Sequence, residues 1–171
     1  HLSCNYLLNS HQSAYIKCHS AETTLLAVQD HIIKAMGLQK VSCLTLLDLS
    51  AAFDTIDHSI LLERLASWFG ITSTTLSWIK SYLQNRSFFV NIDNSKSSSY
   101  QLLYGVPQGS VLGPLLFILY TTPLSTVISQ SPVNHQLFAD DTQLFLSFSA
   151  ANFSLNITCL EQTISDVSNW M

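Results

Sequence analysis

His135-Gln136-Leu137-Phe138-Ala139-Asp140-Asp141-Thr142-Gln143-Leu144-Phe145-Leu146 is an apolar, strand-like run interrupted at its middle by two adjacent carboxylates. Apolar arms on both sides of a polar centre read as a tight β-hairpin, because Asp suits turns and the arms can be pinned against a core. Both carboxylates would then be exposed at the hairpin tip. Like charges that close need a cation or water beside them, so the geometry suits a divalent metal. An isolated Asp-Asp pair also serves as an ordinary solvated turn, and the rest of the chain has to decide between the two.

Upstream, Val41 to Leu47 reads as a buried strand that delivers Asp48 at its end, where side chains emerge from a sheet. An Asp in that place can cap the following segment. Set beside the hairpin, it is also a third carboxylate. Three carboxylates from a strand end and a neighbouring hairpin can hold two divalent ions about 3.5–4 Å apart, one activating a hydroxyl and one stabilising a leaving phosphate oxygen.

Around these points the chain alternates helices and strands. From Ala21 to Met36 the residues Leu25, Val28, Ile32, Ile33 and Met36 recur at helical spacing, with Ser20 as cap and Gly37 as stop. Helices are expected from Ile60 to Phe69, after Asp57 and Ser59, and from about Thr74 to Gln84. Arg86 to Ile92 and Ser99 to Leu103 read as two strands joined by the turn Asp93-Asn94-Ser95-Lys96. Gly105-Val106-Pro107-Gln108-Gly109-Ser110 is a backbone-dominated loop that also reads as a plain helix entry. Pro114 can open an apolar helix running through Leu119 toward Ile128. Leu160, Ile164, Val167 and Met171 mark one face of a last helix. No repeat or linker interrupts residues 1–171, which read as a single α+β domain, an antiparallel sheet with helices packed on one face.

Composition bounds the function. Hydrophobic residues make up 47% of the 171 positions, enough for a sizeable core. Charged residues are only 11%, so the surface must consist of Ser, Thr, Asn and Gln or of apolar groups that meet partners. A net charge of −4 with seven Lys and Arg argues against a free-standing nucleic-acid binder. Cys4, Cys18, Cys43 and Cys159 are scattered, which excludes a readable zinc site or disulfide framework and leaves buried reduced thiols as the expectation. Neither Cys18-His19 nor His11 has ligand spacing. With no signal peptide and no apolar run long enough to span a membrane, the expected location is nuclear or cytoplasmic, not secreted.

Three segments, in this order, resemble the palm motifs of reverse transcriptases. Leu46-Leu47-Asp48-Leu49-Ser50-Ala51-Ala52-Phe53-Asp54-Thr55-Ile56-Asp57-His58 is similar to the first, Gly105-Val106-Pro107-Gln108-Gly109-Ser110-Val111-Leu112-Gly113-Pro114 to the second, and Phe138-Ala139-Asp140-Asp141 to the third. The wording resembles that of LINE-type, non-LTR retrotransposons, and the likeness extends across essentially the whole chain, including Gln12 to Thr24. It implies the right-hand palm of a polymerase over residues 41–171 and part of the fingers over about 1–40.

The resemblance also implies roles. Asp48, Asp140 and Asp141 would be the catalytic metal ligands, with the Leu49 carbonyl a further ligand, for two Mg²⁺ ions or Mn²⁺ in their place. Phe53 would sit under the incoming sugar and collide with a 2′-hydroxyl; from the residues alone it reads equally as a core aromatic. Gln108 would contact the incoming nucleotide, and Gly105 and Gly109 would permit close backbone approach to the template and base pair. Asp54 and Asp57 are local hydrogen-bonding or capping groups. The partners implied are an RNA template, a DNA primer and dNTPs, together with the remaining fingers, the thumb and an endonuclease region of a parent polyprotein.

The departures define the alternatives. Where Ile16 stands, such elements usually carry an Arg that grips the triphosphate; Ile16 has no charge, and Lys17 beside it lacks the bidentate fork. The expected function is RNA-directed DNA polymerisation, the alternative a catalytically inactive, truncated retrotransposon remnant with the palm fold. A phosphatase with Asp48 as nucleophile would need a second acid two residues on, where Ser50 stands.

Overall fold

Ser20 opens the first helix with a reciprocal cap: its hydroxyl accepts from the Thr23 N–H at 3.3 Å, and Thr23 Oγ1 accepts from the Ser20 N–H at 2.9 Å. The computed structural model describes residues 1–49 and 51–170. In chain order its elements are α1 (Ala21–Gly37), β1 (Val41–Asp48), α2 (His58–Ser67), α3 (Ser73–Leu83), β2 (Ser87–Phe88), β3 (Asn91–Ile92), β4 (Ser95–Lys96), β5 (Tyr100–Gln101), α4 (Gly113–Ile128), β6 (Asn134–Phe138), β7 (Asp141–Phe148) and α5 (Phe153–Trp170). Residues 51–120 form one compact unit, and the segments on either side of them form another. Ser50 and Met171, each part of a reading above, lie outside the described residues.

The outer segments are built on an antiparallel sheet of order β1-β7-β6. Alternation along β7 sends Leu144, Leu146 and Phe148 to one face, where they meet Leu124 and Ile128 of α4, Val133, and Leu160 and Val167 of α5. Val41, Cys43 and Leu47 of β1 line the margin of this core. Fully burying a side chain such as Leu144 is worth ~1.5–3 kcal/mol, so this face holds the sheet together. α4 and α5 therefore lie on one face of the sheet, and the expectation of helices on one face alone is corrected by α1. The opposite face is partly covered by α1, from which His31 Nε2 lies 2.9 Å from Ser147 Oγ and the ring meets Phe145 edge-on at 4.8 Å.

Two further expectations, on β1 and on the cysteines, need correction here, and α1 buries residues that its apolar spacing does not mark. On α1 the buried residues are Thr24, Val28 and Ala35, while Leu25, Ile33 and Met36 are exposed. Small side chains let the helix come close, and the large ones face away. Nor is β1 buried on both faces: it is an edge strand, and Leu44 and Leu46 are 46% and 68% exposed. The four cysteines are free, but Cys4 and Cys18 are exposed rather than buried.

In the unit of residues 51–120, Asp57 caps α2 by accepting from the N–H groups of Ser59 and Ile60 at 2.7 and 3.1 Å. Leu61 and Leu65 of α2 and Ile79 and Leu83 of α3 are buried. The expected hairpin is two short ladders in place of two continuous strands. Asn91 and Ile92 pair with Lys96 and Ser95, so the turn is the two residues Asp93-Asn94, whose φ values of +47° and +63° suit a type I′ turn. Ser87 and Phe88 pair with Gln101 and Tyr100, a register one residue out of step with the first. A bulge absorbs the difference: Ser97 donates its N–H to the Val90 carbonyl and accepts the Val90 N–H on its hydroxyl, both at 2.9 Å. Among the described residues no helix is long and apolar enough to cross a membrane.

Candidate carboxylate site

Strand register sets the position of the acidic groups. Asp141, the first residue of β7, pairs with Asp48 of β1 on one side and with Phe138 of β6 on the other. Directly opposed residues of an antiparallel pair project to the same face, with Cα atoms about 4.5–5.5 Å apart. Asp48 and Asp141 therefore share a face at the sheet's end. The Leu49 N–H reaches the Asp140 carbonyl at 3.3 Å, tying the segment after Asp48 to the turn. Ala139 and Asp140 form that turn, and Ala139 takes φ +54°, which two-residue hairpin turns demand at their first position.

Asp48 and Asp141 are exposed, whereas Asp140 is half-buried, so the hairpin tip does not expose both of its carboxylates equally. Among the described residues none of the three carboxylates makes a hydrogen bond or an ion pair with another side chain. Like charges directly opposite destabilise a strand pair, so this arrangement costs stability unless positive charge offsets it. Nor, among the described residues, are three or more His, Cys, Asp or Glu side chains gathered closely enough to hold a metal ion. Mutual repulsion opposes such convergence until a cation is present. The donor set fits a hard divalent cation: oxygen donors only, with no Lys or Arg paired to them among the described residues.

Sequence reasoning missed the contacts that distant segments make along β6. The segment around Gln12 adds a short parallel bridge to β6: Leu137 donates to the His11 carbonyl at 2.8 Å and accepts from Ser13 at 2.9 Å. The His11 ring stacks on His135 at 4.1 Å, and His135 Nε2 lies 2.6 Å from Ser125 Oγ. Burial, and secondarily the charge of His11, push the His135 pKa down to about 4. Only long-range packing reveals these roles, and no local pattern carries them.

The other proposed site residues belong to the unit of residues 51–120. The half-buried Phe53 ring stacks on Phe117 at 4.6 Å with 19° between planes, so it has a core partner. Exposed Gln108 donates from Nε2 to Asp54 Oδ1 at 2.9 Å, which makes Asp54 the local hydrogen-bonding group expected. Gly109 has φ +73° and open space where a Cβ would be. At Gly105 the close approach is intramolecular: a Cβ would lie 2.8 Å from the Phe53 carbonyl oxygen and 2.9 Å from Asp54 Cα. In the N-terminal segment Ile16 is half-buried and Lys17 exposed.

An antiparallel sheet that brings Asp48 beside an Asp140-Asp141 hairpin, backed by helices, is the architecture of a polymerase palm. The chain belongs to the reverse transcriptase (RNA-dependent DNA polymerase) family, whose model matches residues 2–171. It is 30% identical over 156 residues to a probable RNA-directed DNA polymerase from transposon BS of Drosophila melanogaster, covering 85% of this chain and 16% of that protein. It is 32% identical over 129 residues to the RNA-directed DNA polymerase from mobile element jockey of the same organism, covering 72% and 14%. Against the probable RNA-directed DNA polymerase from transposon X-element the identity is 34% over 116 residues, covering 65% and 12%. The chain thus spans a small part of the length of the curated relatives it matches.

Proposed function

We propose that this chain is the palm and part of the fingers of an RNA-directed DNA polymerase of a non-LTR retrotransposon, which joins dNTPs to a primer 3′-hydroxyl. The observation that carries this reading is the Asp48–Asp141 cross-strand pair with Asp140 in the adjoining turn. Asp48, Asp140 and Asp141, with the Leu49 carbonyl, would hold two Mg²⁺ ions, Mn²⁺ being a substitute. The ions when bound supply Lewis-acid charge to the attacking hydroxyl and to the leaving phosphate oxygen.

The chain's own contribution is positioning. The β1–β7 register holds two carboxylates on one face, and the turn holds the third. Phe53, steadied by Phe117, would exclude a 2′-hydroxyl. Gln108, oriented by Asp54, would contact the incoming nucleotide, and Gly109 would leave its backbone open to the base pair. An RNA template, a DNA primer and dNTPs are the partners of this reading, residues 1–40 and 41–171 its fingers and palm, and the nucleus or cytoplasm its place.

A second reading, the inactive remnant, rests on Ile16, an apolar residue where a triphosphate-gripping Arg is expected. Primer extension on an RNA template, in Mg²⁺ and in Mn²⁺, separates the two. Extension by the chain and its loss in Asp141→Asn supports the polymerase. Equal extension in both overturns the assigned ligands. Extension in neither, with Mn²⁺ binding that depends on Asp141, selects the remnant.

A further inference from the structure

The hairpin carrying Asp140 and Asp141 has a donor that its own sheet cannot satisfy. In a parallel ladder continuing from His11–Leu137–Ser13, the next β6-side donor is the Ala139 N–H and its acceptor the Ser13 carbonyl. Instead Gln12 turns its side chain inward, and Oε1 accepts from the Ala139 N–H at 3.1 Å and from the Ala14 N–H at 2.8 Å. Gln12 is 2% exposed, and its Nε2 is buried with no partner. A position that leaves a buried donor unpaired in order to supply a doubly used acceptor is occupied for that acceptor.

We propose that Gln12 is a positioning residue for the carboxylate hairpin, acting on the metal ligands through the Ala139 amide. Ala139 sits in a left-handed conformation that non-glycine residues resist, so its turn needs an outside hold. A slip of one residue in β7 would turn Asp141 to the opposite face of the sheet, away from Asp48. The Gln12 acceptor fixes the amide at the point where such a slip would begin. This inference rests on the metal-binding reading of Asp48, Asp140 and Asp141.

The test is Mn²⁺ titration of the 171-residue chain by electron paramagnetic resonance of the free ion. Gln12→Met removes the acceptor at similar size and should weaken Mn²⁺ binding about tenfold or more, as supporting residues of a metal site do. Gln12→Glu keeps an acceptor and should bind more tightly than Gln12→Met. Ser125→Ala removes the polar contact to His135 on the same strand, away from the turn, and should leave binding unchanged. Binding by Gln12→Met within twofold of wild type, or an equal loss in Ser125→Ala, would overturn the proposal. If Gln12→Met does not fold, hydrogen exchange in the wild type decides: the Ala139 amide must be protected although it lies in a two-residue turn, and unprotected exchange overturns the proposal. Equal Mn²⁺ binding by wild type and Asp141→Asn would overturn the metal reading instead, and Ala139 exchange would then decide the bracing of the turn by itself.

Discussion

Gly105→Ala should be among the most damaging single-methyl additions to the unit of residues 51–120. An added Cβ would stand 2.8 Å from the Phe53 carbonyl oxygen and 2.9 Å from both Asp54 Cα and the Asp54 carbonyl oxygen, all backbone atoms that no rotamer change can move. The φ of +84° adds a conformational penalty of about 1–2 kcal/mol for a residue with a side chain. Relieving the clash requires the loop to withdraw. That would break the bonds from Gly105 N–H to Ile56 O at 2.8 Å and from Val106 N–H to Phe53 O at 2.9 Å, each worth about 0.5–1.5 kcal/mol. The expected loss is therefore about 2–5 kcal/mol, a large share of a typical domain's stability. Gly109→Ala is the matched control, because its φ of +73° carries a similar penalty with nothing within 4 Å of the new Cβ. The gain from restricting the unfolded chain is common to both variants and cancels. Urea unfolding followed by circular dichroism should show Gly105→Ala with a midpoint about 1 M below that of Gly109→Ala, since the two lost bonds are worth about 1–3 kcal/mol together and m values are about 1–3 kcal/mol/M. Equal midpoints would refute the steric account of Gly105.

Ala139→Gly should raise stability by about 0.5–1 kcal/mol in the same assay, since φ +54° costs Ala more than the extra unfolded freedom costs Gly; a decrease would count against the left-handed turn. Asp57→Ala should cost about 1 kcal/mol by removing the cap of α2, and restoration by Asn but not by Leu would identify the cap as the cause. His135 is held neutral in the fold, with its pKa near 4 against an ordinary 6.5. The unfolded chain therefore takes up the proton first: this contribution is complete above pH 6.5 and is lost as pH falls from 6.5 toward 4. Between pH 7.5 and pH 5 the wild type should lose about 2 kcal/mol more than His135→Gln, and parallel losses in the two proteins would dismiss His135 as the titrating group.

Helix ends and the carboxylate hairpin were legible because their signals are local. Ser20 and Asp57 bond to amides two or three residues away, and Asp140-Asp141 is bracketed by its own pairing strands. What depends on distant neighbours was not legible. The spacing of Leu25, Ile33 and Met36 announces a helix, but Thr24 and Ala35 face inward because the packing partner lies close. The bulge at Ser97 escaped because the run Ser97-Ser98-Ser99 has no apolar alternation to betray an extra residue. Gln12 reaches the hairpin across 127 positions, a separation over which composition carries no register.

Hydropathy reports which side chains prefer burial, not which ones this chain buries, and β1 separates the two. Its alternation puts Leu44 and Leu46 on the face that ends in Asp48, where they are exposed, while Cys43 and Leu47 on the other face meet the core. The same alternation in β7 puts Asp141 opposite Asp48. A single slip of register would bring Leu47 or Asp48 to the wrong side, burying a charge at a cost far above that of exposing a Leu. The buried face therefore fixes the position of the acidic one. Folding alone gains nothing from two carboxylates placed directly opposite each other, and a neutral residue at either position would remove the repulsion. The pair is thus an element of the site that the fold tolerates, and its stability cost is the reason to expect that a bound divalent cation raises the unfolding midpoint of the wild type more than that of Asp141→Asn.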